Sequence, residues 1–362
     1  MPPTEDLSVQ PIRSFEEFRD AVAAYRLPRI LIAALELDLF TAMGGRGWTI
    51  PTLAKRVRAS RRGLDILCRN LASVGLLRKQ GVTYRNGPLG LGELNAHSPA
   101  YRGAYLNLLK DHWADWSQLT EHVRSGKPLE DDKPDDAAYR KAFTWAMHHR
   151  SMDIAPRVAA QVGLEGAKTF LDLGGGPGTY ALAFLAKHPR LQATVADRAP
   201  ALEVAREIAE THPAGKRLSY VAVDFVKRPI PGRYDVIWYS NVLHIYSPAE
   251  NQRVFHRAAA ALNPGGRLLI QDAFLQDVDG LHPQEANLFA VTMLLFTRRG
   301  NTYTVRETEA WLRRAGFGRV KPVTLRAGTG DWDGGILEAS LPSARPGSRA
   351  RRGRSARNSP AR

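Results

Sequence analysis

Three glycines at alternate positions, Gly174, Gly176 and Gly178, follow the apolar run Thr169–Leu173, with Gly175 and Pro177 between them. Glycine lets the backbone take positive φ and lets a ligand lie against bare main chain. In an open α/β sheet such a loop stands at the carboxyl end of its strand, where ligands bind. Asp197 closes the next strand candidate, nineteen residues after Gly178. A carboxylate there can accept both ribose hydroxyls of an adenosine. Asp224 and Phe225 end a third strand candidate and put an acid and an aromatic face where an adenine would lie. A dinucleotide site would read GxGxxG. Here the sixth position from Gly174 is Thr179, so the pattern is GxGxG, which suits a ligand without a pyrophosphate. A glycine-rich turn alone also fits plain strand-to-helix geometry; the two acids shift the balance toward a binding site.

Parallel strands must carry these residues. Strands are expected at Thr169–Leu173, Ala193–Asp197, Leu218–Asp224, Tyr234–Ser240, Arg267–Asp272, Val320–Leu325 and Ile336–Ser340. Between them helices are expected at Tyr180–Lys187, Ala199–Thr211, Pro248–Leu262 and Val305–Ala315, two of them opened by Ser247-Pro248-Ala249-Glu250 and Thr304-Val305-Arg306-Glu307. Serine or threonine followed three residues later by glutamate is a capping box. Alternation of this kind gives a doubly wound, mainly parallel sheet. Upstream the texture is helical. Ser14-Phe15-Glu16-Glu17 is another capping box, and Ser60 opens a helix with Leu64, Leu67, Cys68, Leu71 and Val74 on one side. Leu76 to Tyr84 reads as a hairpin turning at Gln80-Gly81, so this part has a winged-helix pattern.

Composition limits what else the chain can be. It has 362 residues, 44% of them hydrophobic and 24% charged, which excludes wholly disordered and collagen-like classes. No apolar run is long enough to span a membrane, and no basic-then-apolar leader pattern opens the chain. Cys68 is the single cysteine, so an internal disulfide and a cysteine zinc site are excluded and a reducing cytosol fits. Seven arginines after Ser343 supply nearly half of the net charge of +15, in a Ser/Pro/Gly/Arg tail that cannot build a core. The acidic run Asp131–Asp136, broken by Lys133 and Pro134, reads as a solvated turn, and no metal is expected.

Gly174–Gly178, Asp197, Asp224-Phe225, Tyr234-Asp235-Val236-Ile237, Asn241-Val242-Leu243-His244 and Asn263-Pro264-Gly265-Gly266-Arg267 together resemble the class I S-adenosylmethionine-dependent O-methyltransferases. The nearer match is the small-molecule branch of caffeic acid, acetylserotonin and bacterial polyketide-tailoring enzymes, over roughly residues 14–340. Leu27 to Gly90 is similar to that branch's winged-helix dimerisation domain. The resemblance implies S-adenosyl-L-methionine held by Gly174, Gly175, Gly176, Gly178, Asp197, Asp224, Phe225 and Ser240. It also implies a homodimer and a small, flat aromatic acceptor. The division expected is a winged-helix dimerisation domain over 14–100, a helical connector lining the acceptor pocket over 101–165, a cofactor-binding catalytic domain over 166–342 and a disordered tail over 343–362.

Methyl transfer to a hydroxyl needs a base within hydrogen-bond reach of the proton. His244 follows the fourth strand, and its imidazole can accept a proton near neutral pH. Asp272 lies twenty-eight residues on, the interval at which the resembling enzymes carry a carboxylate after their catalytic histidine. His244 is therefore assigned as base and Asp272 as the group that orients it. The sequence departs from the family in three places: Ile245-Tyr246 stand where the family has Asp-Trp, Thr302 where it has a second glutamate, and Ser240 where it has a lysine near the cofactor. Tyr139, Phe143 and Met147 share one helix face. Their spacing alone fits a core stripe, but the family's acceptor wall lies there, and Thr292, Met293 and Thr297 match the opposite wall. The N-terminal domain could pair subunits through Ile30, Leu31, Leu35 and Leu39, or read DNA through Arg61, Arg62, Arg69 and Asn70. Pairing is favoured because a methyl-donor domain follows and Cys68 and Leu71 are used for packing. The alternatives weighed are a DNA-binding regulator with a ligand-sensing domain, and N- or C-methylation on the same fold.

Overall fold

The computed structural model describes residues 11–128, 136–325 and 335–342. The acidic run 131–135 and the arginine tail 343–362 lie outside the described residues.

The first part is helical with a small sheet. It comprises α1 (Phe15–Ala23), α2 (Arg26–Glu36), α3 (Leu39–Met43), β1 (Trp48–Thr49), α4 (Ile50–Arg56), α5 (Arg61–Ser73), β2 (Leu77–Gln80), β3 (Thr83–Asn86) and α6 (Pro88–Leu91). Ser60 caps α5 by accepting from the Gly63 N–H at 3.0 Å. Leu64, Cys68 and Leu71 then fall on one buried face. The hairpin is as expected except that its two-residue loop is Gly81-Val82, one residue later, with Gly81 at φ 57°. Leu39, expected in a pairing face, is 0% exposed and belongs to the domain's own core with Phe40 and Leu53. Its neighbours Ile30, Leu31 and Leu35 are partly buried against that core. A cluster of apolar side chains is left exposed on and around α1, Phe15 at 81%, then Phe18, Val22 and Tyr25, and others such as Val82 and Val74 are exposed elsewhere in this part.

Four helices connect the halves: α7 (Gly103–Ser117), α8 (Leu119–Ser125), α9 (Ala137–Ser151) and α10 (Ile154–Gln161). The second half follows as β4 (Thr169–Leu173), α11 (Thr179–Lys187), β5 (Gln192–Asp197), α12 (Ala199–Thr211), β6 (Leu218–Ala222), β7 (Tyr234–Ser240), α13 (Pro248–Ala261), β8 (Leu262–Gln271), α14 (Gln284–Phe296), α15 (Val305–Arg314), β9 (Arg319–Val323) and β10 (Ile336–Ser340). Both expected capping boxes form, at Ser247 with Glu250 and at Thr304 with Glu307. The strand order is β6-β5-β4-β7-β8-β10-β9, parallel as far as β8, with β10 antiparallel to both neighbours. Helices cover both faces. Phe170, Phe184 and Trp238 fill one side, and Ile237, Phe255 and Ile270 the other. That double burial is why the strands read as continuous apolar runs. Strand order reverses between β4 and β7, and the crevice at their carboxyl ends is where a ligand binds in such a sheet.

One carboxylate fastens the start of β4. Asp235 Oδ2 accepts from the N–H of Lys168 at 2.8 Å, the N–H of Thr169 at 3.0 Å and the Thr169 hydroxyl at 3.0 Å, while Asn263 donates to Oδ1 at 2.8 Å. Burial pushes its pKa up, but these four bonds together hold it below the ordinary carboxylate value. A carboxyl depressed in the folded state stabilises the fold fully above its unfolded pKa and loses that contribution as pH falls through the folded one. Replacing Asp235→Ala is therefore expected to lower unfolding free energy at pH 7 by about 1–3 kcal/mol. In urea titrations the deficit should shrink as pH falls below about 4.

Candidate active site

The glycine loop is shaped by close approach on one side and openness on the other. Gly174 has φ 72°, and a Cβ there would lie 2.8 Å from Val242 Cγ2 and 3.3 Å from Phe225 Cζ. Its N–H donates to the Ala196 carbonyl at 2.8 Å, which locks the loop to β5. Gly176 has φ 49°, and a Cβ there would meet nothing nearer than Thr144 Cγ2 at 4.0 Å. Bare main chain thus borders open space at Gly176. Its N–H donates to Asp197 Oδ2 at 2.8 Å, and the N–H of Arg198 donates to Oδ1 at 2.6 Å. Burial pushes the Asp197 pKa up, and these two backbone donors oppose it.

Asp224 sits where β6 ends, its Oδ1 accepting from the N–H groups of Val226 and Lys227 at 3.2 Å each. Phe225 is buried and stands edge-on to Tyr246, ring centroids 6.1 Å apart. Burial, then the charge of Asp197, pushes the Tyr246 phenol up to about 12. Tyr246, where the resemblance would put a tryptophan, was not anticipated as a site residue. Its type and its position two after His244 were the available signal. Ser240 donates to Gln271 Oε1 at 3.3 Å and accepts from Asn241 Nδ2 at 2.9 Å, so it is absorbed in a polar row along the strand ends.

Asp172, within β4, is a second group that sequence reasoning passed over, although an acid in the strand before a glycine loop was visible. It is buried beneath Gly175, and its Oδ2 accepts from the Ala181 N–H at 3.2 Å. Burial, aided by the charge of Asp197, pushes its pKa up to about 7. His148 on α9 bonds through Nδ1 to the Thr179 hydroxyl at 2.9 Å, just past the loop. Burial, then the neighbouring His149, pulls it down to about 4, so it is neutral in this contact.

His244 and Asp272 come together as expected. The short helical turn Leu243–Ile245 follows β7 and presents the imidazole, whose Nδ1 lies 2.8 Å from Asp272 Oδ1. Both residues are buried. The Ala273 N–H also donates to Oδ1 at 2.8 Å. With Nδ1 donating to the carboxylate, Nε2 carries the imidazole lone pair. Phe289 of α14 packs edge-on against the ring, centroids 4.6 Å apart. Neither α14 nor Phe289 was foreseen, because the run from Ala286 to Phe296 is apolar on nearly every side and gives no clear helical period.

The expected acceptor walls are only partly enclosed. Tyr139 and Phe143 are stacked at 6.4 Å but remain 38% and 39% exposed, while Met147 is half-buried. Met293 is buried, and Thr292 and Thr297 are half-buried on and just after α14. Of the DNA-reading set, Arg69 is paired with Asp65 at 3.1 Å and Asn70 is bonded to the Ile66 carbonyl. Among the described residues no helix is long and apolar enough to cross a membrane, and no group of three metal-ligating side chains forms.

Comparison with known proteins identifies the class. Residues 116–318 match the family model of the O-methyltransferase domain, and residues 20–91 match that of the O-methyltransferase dimerisation domain. The chain is 30% identical over 302 residues to 3-hydroxy-5-methyl-1-naphthoate 3-O-methyltransferase of Streptomyces sahachiroi, covering 81% of this chain and 86% of that protein. It is also 30% identical over 305 residues to the tetracenomycin polyketide synthesis 8-O-methyl transferase TcmO of Streptomyces glaucescens, covering 82% and 89%. An O-methyltransferase family protein from Burkholderia thailandensis has a similar structure, with a TM-score of 0.80, 27% identity and coverage of 92% of this chain and 99% of that one. The chain belongs to the S-adenosylmethionine-dependent O-methyltransferase family and carries that family's dimerisation domain.

The raised carboxyl of Asp172 has a measurable consequence. A folded-state pKa above the unfolded one means the folded chain holds this proton more tightly, so stability falls as pH rises between the two values. Asp172→Asn removes the ionisation. Relative to the unaltered chain, the variant should gain stability from about pH 4 to about pH 7 and stay level above that, as read by denaturant unfolding at fixed pH steps.

Proposed function

We propose that this S-adenosylmethionine-dependent O-methyltransferase methylates a hydroxyl on a small, flat aromatic secondary metabolite, with His244 as general base. The observation that carries the reading is the buried His244–Asp272 hydrogen bond of 2.8 Å at the carboxyl edge of the sheet. Bound beside it, S-adenosyl-L-methionine supplies a sulfonium methyl open to attack by oxygen. The open main chain at Gly176, the oriented Asp197 carboxylate and the acid-aromatic pair Asp224-Phe225 fit an adenosyl group. Gly174, Gly175, Gly176, Gly178, Asp197, Asp224, Phe225 and Ser240 are the residues assigned to it.

His244 takes the acceptor's proton at Nε2. Asp272 accepts from Nδ1–H, holds the tautomer and stabilises the imidazolium that forms. Phe289 restrains the ring. Tyr139, Phe143 and Met147 from one side, and Thr292, Met293 and Thr297 from the other, make the acceptor walls. Aromatic faces and a pliable thioether suit a planar ring system. The two Streptomyces relatives, named for a naphthoate and a tetracenomycin polyketide, support the same acceptor class. The enzyme works as a cytosolic homodimer paired through its N-terminal domain, and the exposed apolar face of α1 is the surface to be covered. The division at 14–100, 101–165 and 166–342 follows these roles.

Replacing His244→Ala is expected to lower kcat by about 10²–10⁴-fold. Calorimetric binding of S-adenosylhomocysteine should be unchanged in that variant. Undiminished turnover would remove the base assignment. Asp197→Ala should do the reverse, weakening S-adenosylhomocysteine binding by about 10–100-fold through loss of charge-assisted hydrogen bonds. An unaltered dissociation constant would remove the ribose assignment.

A further inference from the structure

Asp272 is 2% exposed, and both of its hydrogen bonds fall on one oxygen. Its Oδ2 has no hydrogen-bond partner. Thr302 is 5% exposed, and its Oγ1 also has none. The segment carrying Thr302 is tied to the dyad's surroundings on both sides. The N–H of Asn301 donates to the His244 carbonyl at 2.9 Å, and the Tyr303 carbonyl accepts from the Leu275 N–H at 3.0 Å. The Thr302 N–H is used locally, on Asn301 Oδ1 at 2.9 Å. Gly300 comes so near that a Cβ there would lie 2.3 Å from the His244 carbonyl oxygen. A buried acceptor without a donor thus belongs to the residue bonded to His244, and a buried hydroxyl without a partner to a segment bonded to the His244 carbonyl; each alone is costly.

We infer that Thr302 is a positioning residue for the catalytic dyad, its hydroxyl linked to Asp272 Oδ2 through one bound water. This rests on the reading of His244 as base. A bridging water serves two polar groups nearly as well as a direct bond. It gives the second carboxylate oxygen a donor, disperses the charge that faces His244, and fixes the plane of the carboxyl group. A threonine here thereby works differently from the glutamate it replaces: it adds a neutral donor where a carboxylate would add a second negative charge.

Other titratable groups near the dyad are few. Tyr239 of β7 and Tyr303 are both held well above the ordinary phenol value, burial first, and so stay neutral. Glu250 of α13 is lowered, the bonds from Ser247 and the charge of Arg299 outweighing burial, and so stays ionised. From α14 the neighbour is the uncharged Phe289.

The test uses Thr302→Val, which keeps the shape and removes the hydroxyl, with Thr302→Ser as the conservative rescue. Histidine-labelled full-length chain is titrated by NMR in the presence of S-adenosylhomocysteine, the His244 signal being assigned by its loss in His244→Gln. Losing the donor concentrates charge on Asp272, so the His244 pKa should rise by about half to one unit in Thr302→Val and return in Thr302→Ser. The acidic limb of kcat/KM should move up with it. A folded Thr302→Val with an unmoved His244 pKa overturns the proposal and leaves the base reading intact. A moved pKa with an unmoved acidic limb supports the positioning role and overturns the base reading. If Thr302→Val does not fold, Thr302→Ala and Thr302→Asn are titrated instead. Asn keeps a donor and should hold the pKa, while Ala should raise it; equal values in the two overturn the proposal.

Discussion

A carboxylate taken out of water must be given donors, and the catalytic half is organised by how fully each one receives them. Asp235 receives four hydrogen bonds and serves as a fastening. Asp197 receives two backbone N–H groups, one on each oxygen. Asp172 receives one and holds its proton to about pH 7. Asp272 is served on one oxygen only, by the His244 imidazole and the Ala273 N–H. Partly satisfied groups are the ones that retain capacity to bind or to respond to a proton.

The sheet makes this arrangement available. Parallel strands all end on one edge, so side chains from β4, β5, β6, β7 and β8 converge there although they are up to a hundred residues apart. The reversal of strand order between β4 and β7 opens the crevice, and the turn after β7 delivers His244 into it. The connector helices close the other side. His148 on α9 reaches the start of α11, and the buried Met293 of α14 lies one helical turn beyond Phe289, which touches His244. Helix α9 is thus linked to the end of the glycine loop, and α14 to His244, through single contacts.

Much of this was legible in the chain. Boundaries of β4, β7, β10 and α12 coincide with the expected ones; β4 is closed by Gly174, Gly335 precedes β10, and Pro200 marks the start of α12. The pairing of His244 with Asp272 was readable only because a known family keeps that interval; spacing along a chain does not by itself state distance across a sheet. Where expectation and structure part, packing is the reason. Leu39 looked free for a partner, yet it fills the core of the N-terminal domain, while α1 leaves Phe15, Phe18 and Val22 exposed. Tyr139 and Phe143 share a helix face as their spacing requires, but nothing local could say how far that face would stay open.

By itself the sequence determined the periodicities, caps and glycines, and hence the strands, the loop that leaves main chain bare, and the acids that follow it. These are properties of a few neighbouring residues, set by backbone sterics and side-chain pattern. Tertiary structure alone decided which polar atoms are left without partners. That Asp272 Oδ2 and Thr302 Oγ1 are both buried and unserved, that Tyr246 meets Phe225, and that Phe289 restrains His244 depend on segments brought together by folding. Satisfaction of a buried polar group is counted over all its neighbours in space, and no local stretch of chain carries that count.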